Sequence, residues 1–187
     1  MHYFGTIHAQ PDIEFGRQQF GGCRVNKLRL LALLLPLATL PICAHAVSKA
    51  LIADIQNGNA QTLQQLPTTI KRITSSLNDE QSAELIEAIG FALLKNPVPT
   101  LRATDAMDKD DDLLVQRFGT GAACALPVDM NYTRNSTLLY YKLASESLIR
   151  AGAPALECLS IMQESMEEVK SEDDRGNMKW GVKIFTP

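Results

Sequence analysis

The chain has 187 residues, 45% of them hydrophobic, with a formal charge of −3, three histidines and four cysteines. That length and apolar share suffice for a buried core. The acidic balance argues against nucleic-acid binding, which needs a basic footprint, and against an electrostatic grip on anionic lipid.

Residues 1–24 form an upstream extension, aromatic and glycine-bearing, without helical periodicity. Signal peptides start within a few residues of their basic region, so this extension is out of place in front of one. A start at Val25 resolves it: valine can be encoded by GTG, and Gly21-Gly22 by codons that contain a ribosome-binding sequence. Residues 1–24 are then untranslated; the alternative is a disordered extension.

Residues 25–46 read as a secretory signal peptide. Arg24, Lys27 and Arg29 precede an apolar run from Leu30, which closes on Ala44-His45-Ala46, a small-x-small cleavage pattern. The run falls short of the ~20 residues a helix needs to cross a bilayer, and Pro36 and Pro41 interrupt it. Lipidation at Cys43 is disfavoured, because Ile42 stands where a small residue is needed. Cleavage at Ala44–Ala46 sends the remainder to the periplasm or the exterior, with no integral membrane segment.

Cleavage removes four of the 18 Lys and Arg and two of the 21 Asp and Glu, leaving 14 basic and 19 acidic residues, a charge of −5. It also removes His2, His8 and His45, which are all the histidines of the chain. A domain without imidazole lacks Ser-His-Asp and Cys-His machinery, ordinary zinc sites and a histidine pH switch. No catalytic residue, metal ligand or cofactor is therefore assigned, and carboxylate-only chemistry is what survives. Cys124 and Cys158 remain, and in an oxidising compartment an even pair reads as a structural disulfide.

From residue 47 the signals are helical, and residues 47–177 are read as one all-α domain: a single compact bundle of short helices ending in a long antiparallel helical hairpin, held by one disulfide. Leu51, Ile52 and Ile55 make a short apolar face before an Asn57-Gly58 stop. Asn59 caps a turn carrying Leu63 and Leu66, which Pro67 is expected to break. Thr68 then opens a helix with Ile70, Ile73 and Leu77 on one side. Asn78 with Gln81 forms a capping box for the strongest helix, bearing Leu85, Ile86, Ile89, Leu93 and Leu94 and ending at Asn96-Pro97. Gly90 within it suggests the close packing of another helix.

Pro97 and Pro99 bracket a turn before a short helix from Leu101 to Met107. Asp108, Asp110 and Asp112 occupy the first three acidic positions of an EF-hand loop, but Leu113 and Gly119 stand where the glycine and the glutamate belong. The acids are read instead as caps, Asp108 or Asp110 starting a helix through Leu113, Leu114 and Arg117 to Gly119. Residues 119–134 are expected to be irregular and tied down by the disulfide. Asn131 and Asn135 match the glycosylation pattern; if the chain starts at Val25 on a GTG codon, the leader is a bacterial one and both matches are chance.

Asn135 or Ser136 caps the first arm of the hairpin, which carries Leu139, Tyr140, Tyr141, Leu143 and Leu148 and stops at Gly152. Pro154 opens the second arm, with Leu156, Leu159, Met162, Met166 and Val169 as core. Glu164, Glu167, Glu168, Glu172, Asp173 and Asp174 make an acidic end, either a solvated face or a docking surface for a basic partner. The tail, residues 178–187, holds the only tryptophan and either folds back as a strand, inserts into a partner, or stays loose.

Three functions compete. An exported protein that binds a protein partner, as inhibitors and immunity proteins do, fits the size, charge and missing catalytic groups; this is analogy of class alone. An envelope structural or chaperone-like component needs a continuous apolar groove. A carboxylate-based hydrolase needs two acids facing one cleft.

Overall fold

A computed structural model describes residues 47–126 and 131–187 of the chain. The signal stretch, with Cys43, Ala44 and Ala46, lies outside the described residues, as does Pro127. Among the described residues eight α-helices succeed one another: α1 (Lys49–Gln56), α2 (Ala60–Ile73), α3 (Asp79–Lys95), α4 (Pro97–Asp108), α5 (Leu113–Gln116), α6 (Thr120–Cys124), α7 (Arg134–Ala151) and α8 (Leu156–Asp174). The fold is all-α, and the sole β-type pairing among the described residues is an isolated parallel bridge between Tyr132 and Lys183.

Local chemistry fixes many of the helix ends. Ser48 Oγ accepts from the Leu51 amide at 3.1 Å and starts α1. Gly58 ends it at φ +66°, and a Cβ there would come within 3.0 Å of Lys95 and Asn96. The Asn96 side chain donates to the Gly58 carbonyl at 3.1 Å, so the α1–α2 turn is fastened to the α3–α4 turn. The capping box of α3 is complete in both directions: the Gln81 amide donates to Asn78 at 2.8 Å, and the Asn78 amide to Gln81 at 3.1 Å.

Helix α2 departs from expectation, because it runs unbroken through Pro67. Leu63, Leu66 and Ile70 lie on one continuous stripe, each 0% exposed. Burying each contributes roughly 1.5–3 kcal/mol, which together exceeds the ~3 kcal/mol cost of a proline within a helix. Leu77 lies beyond a 3-10 turn, Thr74–Ser76, and is not part of α2. Pro97 and Pro99 also differ from the expected turn, since they form the first turn of α4. An N–H is unpaired there in any helix, so proline at its start loses little.

Helix α3 sits between two clusters of buried side chains. Leu85, Ala88, Ile89 and Ala92 pack with Ile55, Leu63, Leu66, Ile70 and Met107. Leu93, with half-buried Phe91 and Leu94, joins Tyr140, Leu148, Met162 and Met166 of α7 and α8. Gly90 is buried, and its carbonyl accepts from the Tyr140 hydroxyl at 2.9 Å. Ser147 Oγ donates to the Leu93 carbonyl at 2.8 Å one level along. The glycine thus marks the crossing of α7 over α3.

The hairpin of α7 and α8 turns at Gly152, φ +73°, followed by a 3-10 turn over Ala153–Ala155. Arg134 pairs with Asp173 at 2.7 Å and Ser145 meets the Met162 sulfur at 3.9 Å. In both pairs the first residue stands as far before the link as the second stands after it, so the arms are antiparallel. The cap of α7 is Thr133, not Asn135 or Ser136; its hydroxyl accepts from the Ser136 amide at 3.3 Å. Leu156 is 63% exposed rather than core, and the buried stripe of α8 begins at Cys158.

Cys124 and Cys158 are bonded, with sulfurs 1.99 Å and Cα atoms 5.1 Å apart. The bond joins the last residue of α6 to the first turn of α8. Residues 119–126, expected to be irregular, contain a short helix, α6, which is shorter than six of the seven other α-helices and is held in place by the bridge.

Candidate functional site

The aspartate run after α4 serves the chain itself. Asp108 accepts from the Thr120 amide at 2.9 Å, ahead of α6. A Cβ at Gly119 would lie 1.6 Å from Asp108 Oδ1, so glycine is what admits that carboxylate. Asp110 accepts from the Asp112 amide at 3.0 Å and from Lys71 Nζ at 2.9 Å. Those two donors, the amide first, hold its carboxyl below the usual range, and Asp110 in turn raises the ammonium of Lys71. Asp112, rather than Asp108 or Asp110, caps α5, accepting from the Leu114 amide at 2.9 Å. Among the described residues no three His, Cys, Asp or Glu side chains come together so as to hold a metal ion.

Two hollows stand out. One, about 490 Å³, lies between α2 and α4 and is lined by Leu63, Gln64, Pro67, Pro99, Arg102 and Ala106. The other, about 450 Å³, lies beside Cys158 and gathers Asp105, Asp108 and Glu157 around Thr120. A glycosidase-like pair needs one carboxyl desolvated enough to stay protonated. All three acids here are exposed, Asp105 is paired with Lys109 at 2.7 Å, and Asp108 is engaged by Thr120.

The acidic end of the chain divides into two sets with different work. Glu164, Glu167, Glu168 and Asp174 are exposed. At 100° per residue they fall on one face of α8. Glu172 and Asp173 are half-buried and anchor the tail. Asp173 accepts from Arg134 at 2.7 Å and from the Trp180 indole at 2.8 Å, and these two donors lower its carboxyl below the usual range. Glu172 accepts from Arg175 and, at 2.8 Å, from the Asn177 side chain.

The tail folds back as an extended segment. The Gly181 and Lys183 amides donate to the carbonyls of Tyr132 and Asn131, and the Thr133 amide donates to the Lys183 carbonyl, all at 2.9 Å. Beside this ladder the Tyr132 hydroxyl donates to Glu87 at 2.6 Å. Lys183 Nζ lies 3.8 Å from the same carboxylate and 5.4 Å from the Tyr132 ring centre. Burial, then the Glu87 carboxylate, pushes the Tyr132 phenol up.

Phe185 closes the assembly. It is 7% exposed. Its ring stacks on Phe91 at 5.2 Å and meets Tyr140 edge-on at 5.7 Å, while its amide donates to Ser136 Oγ at 3.0 Å. None of Glu87, Lys183 or Phe185 belongs to a recognisable sequence pattern, and Tyr132 falls only within the glycosylation match at Asn131. Their partners lie 45 or more residues away along the chain, and only the apolar character of the tail hinted at docking.

Among the described residues no helix is long and apolar enough to cross a membrane. Compared with family models, with curated proteins and with solved structures, the chain finds no match.

Proposed function

We propose that this chain is an exported helical protein that acts by binding a protein partner, in the manner of an inhibitor or immunity protein, and not by catalysis. The observation that carries the reading is the exposed acidic face of α8: Glu164, Glu167, Glu168 and Asp174 are exposed and share one side of the helix. The other two acids of the cluster are consumed in holding the tail. The leader at residues 25–46 supports export to the periplasm or the exterior. The partner that fits is a basic protein surface, because complementary potentials steer association and set register.

Reversing all four acids to lysine tests the reading. The wild-type chain, cross-linked in an envelope extract of its own cell, should capture one basic partner. Capture should fall steeply as salt rises from ~0.1 M to ~1 M, where the screening length shrinks from about 10 Å to about 3 Å. The fourfold variant should keep its circular dichroism and lose the partner. Capture indifferent both to salt and to the four substitutions would refute the acidic face as the contact surface.

A further inference from the structure

We infer that the slot holding residues 181–185 is an exchangeable peptide site, and that the occupant it takes in place of its own tail is the same segment of a second copy of this chain. The slot is selective at three places. Facing the Gly181 position, the Asn131 backbone stands 2.2 Å from where a Cβ would be, so the incoming strand needs glycine there. Two residues on, Glu87 asks for a cation, which Lys183 supplies. Two residues further, Phe91 and Tyr140 form an aromatic cleft that Phe185 fills. Between these positions the alternate side chains point out: Val182 is 89% and Ile184 75% exposed. The pattern Gly-x-cation-x-aromatic is met by this chain's own tail, which makes a second copy the occupant that the chemistry specifies.

What directs the tail home is one turn. Gly176, at φ +73°, donates its amide to the Asp173 carbonyl, and the Asn177 amide donates to the Glu172 carbonyl, both at 2.9 Å. This is the glycine-ended helix stop that reverses a chain out of α8. A Cβ at Gly176 meets nothing within 4 Å, so a side chain there is opposed by backbone conformation alone. Straightening the turn carries residues 178–187 away from their own slot without altering the slot. Exchange between two copies then restores every contact of the docked tail, as domain swapping does in general. The exposed Val182 and Ile184 are apolar surface that an exchanged pair has available to bury.

The test is light scattering on size-fractionated full chain. A short tether gives the tail an effective concentration on the order of 1 mM, so the wild type should be monomeric at about 10 µM and form dimer only toward that limit. Gly176→Val should be dimeric at about 10 µM, and adding Phe185→Ala should return it to monomer. A folded Gly176→Val monomer up to about 1 mM, or a dimer that survives Phe185→Ala, would overturn the proposal. A labelled peptide of residues 178–187 decides the matter should Gly176→Val fail to fold. It should bind full-length Phe185→Ala at least ~10-fold more tightly than the wild type, whose tail competes. A Gly181→Leu version of the peptide should lose that binding; absence of binding to Phe185→Ala, or equal binding by both peptides, counts against the exchange.

Discussion

Removing the disulfide should destabilise the chain by a large fraction of its stability. Cys124 and Cys158 are separated by 34 residues, and a loop of that size contributes ~3–4 kcal/mol in the chain-entropy description of cross-links. The bond also secures a weak element. Helix α6 has five residues, too few to persist unaided, and its neighbour α5 has four. The double variant Cys124→Ala with Cys158→Ala places two alanines at positions that are 0% and 1% exposed, so no polar group is stranded. With an unfolding entropy of ~2.1 cal/mol/K per residue over residues 47–187, the loss corresponds to a fall in Tm of roughly 10–14 °C. Thermal and urea unfolding followed by far-ultraviolet circular dichroism would measure it. Hydrogen exchange should show the amides of residues 119–126 losing protection first. A destabilisation under ~1 kcal/mol, with α6 still protected, would refute the cross-link's structural role.

Further outcomes follow from single contacts. Asn78→Ala should destabilise the chain by ~1 kcal/mol, because it strips the cap from the helix that both apolar clusters share; urea unfolding reads this directly. Gly181→Ala should undock the tail, since the new methyl would meet the Asn131 backbone at 2.2 Å. The fluorescence of Trp180 should shift to the red, and an unchanged spectrum would speak against the close approach. The folded-state pKa values of Asp110 and Asp173 lie below the ordinary 3.8. Stability from these two groups is thus complete above that value and lost as pH falls through the depressed ones. Trp180 emission, monitored in acid titration, should change below pH 3.8 in the wild type, and Asp173→Asn should show an altered signal already at neutral pH.

Signals that act within a few residues were readable in the sequence. The Asn78–Gln81 box, the Gly58 stop, the Gly152 stop and the hairpin each rest on neighbours in the chain, and each forms as expected. The even cysteine pair was readable too, because an all-α domain with two cysteines has one bridge to make. Pro67 misled because its penalty is local, whereas Leu63, Leu66 and Ile70 repay it through contacts with other helices. Caps within polar runs shifted by two to four residues: Asp112 caps α5, while Asp108 and Asp110 are engaged by the Thr120 amide and by Lys71 and the Asp112 amide. The acidic end read as a single face because charge count does not reveal that Arg134, 39 residues earlier, and Trp180 take Asp173 out of it. Beyond its local anchors at Glu172 and Asp173, the tail's docking depends on distant partners such as Asn131, Tyr132, Phe91 and Ser136, which is why three fates for it stood level in the sequence.

All of this presumes that a leader is clipped from the chain and that what is left is a cross-linked helical protein without imidazole. Intact-mass and N-terminal analysis of the protein recovered from the cell envelope addresses both halves together. The expected product begins at Val47 and weighs two hydrogens less than its reduced sequence. A product that retains His45, or that carries free thiols at both Cys124 and Cys158, would contradict it.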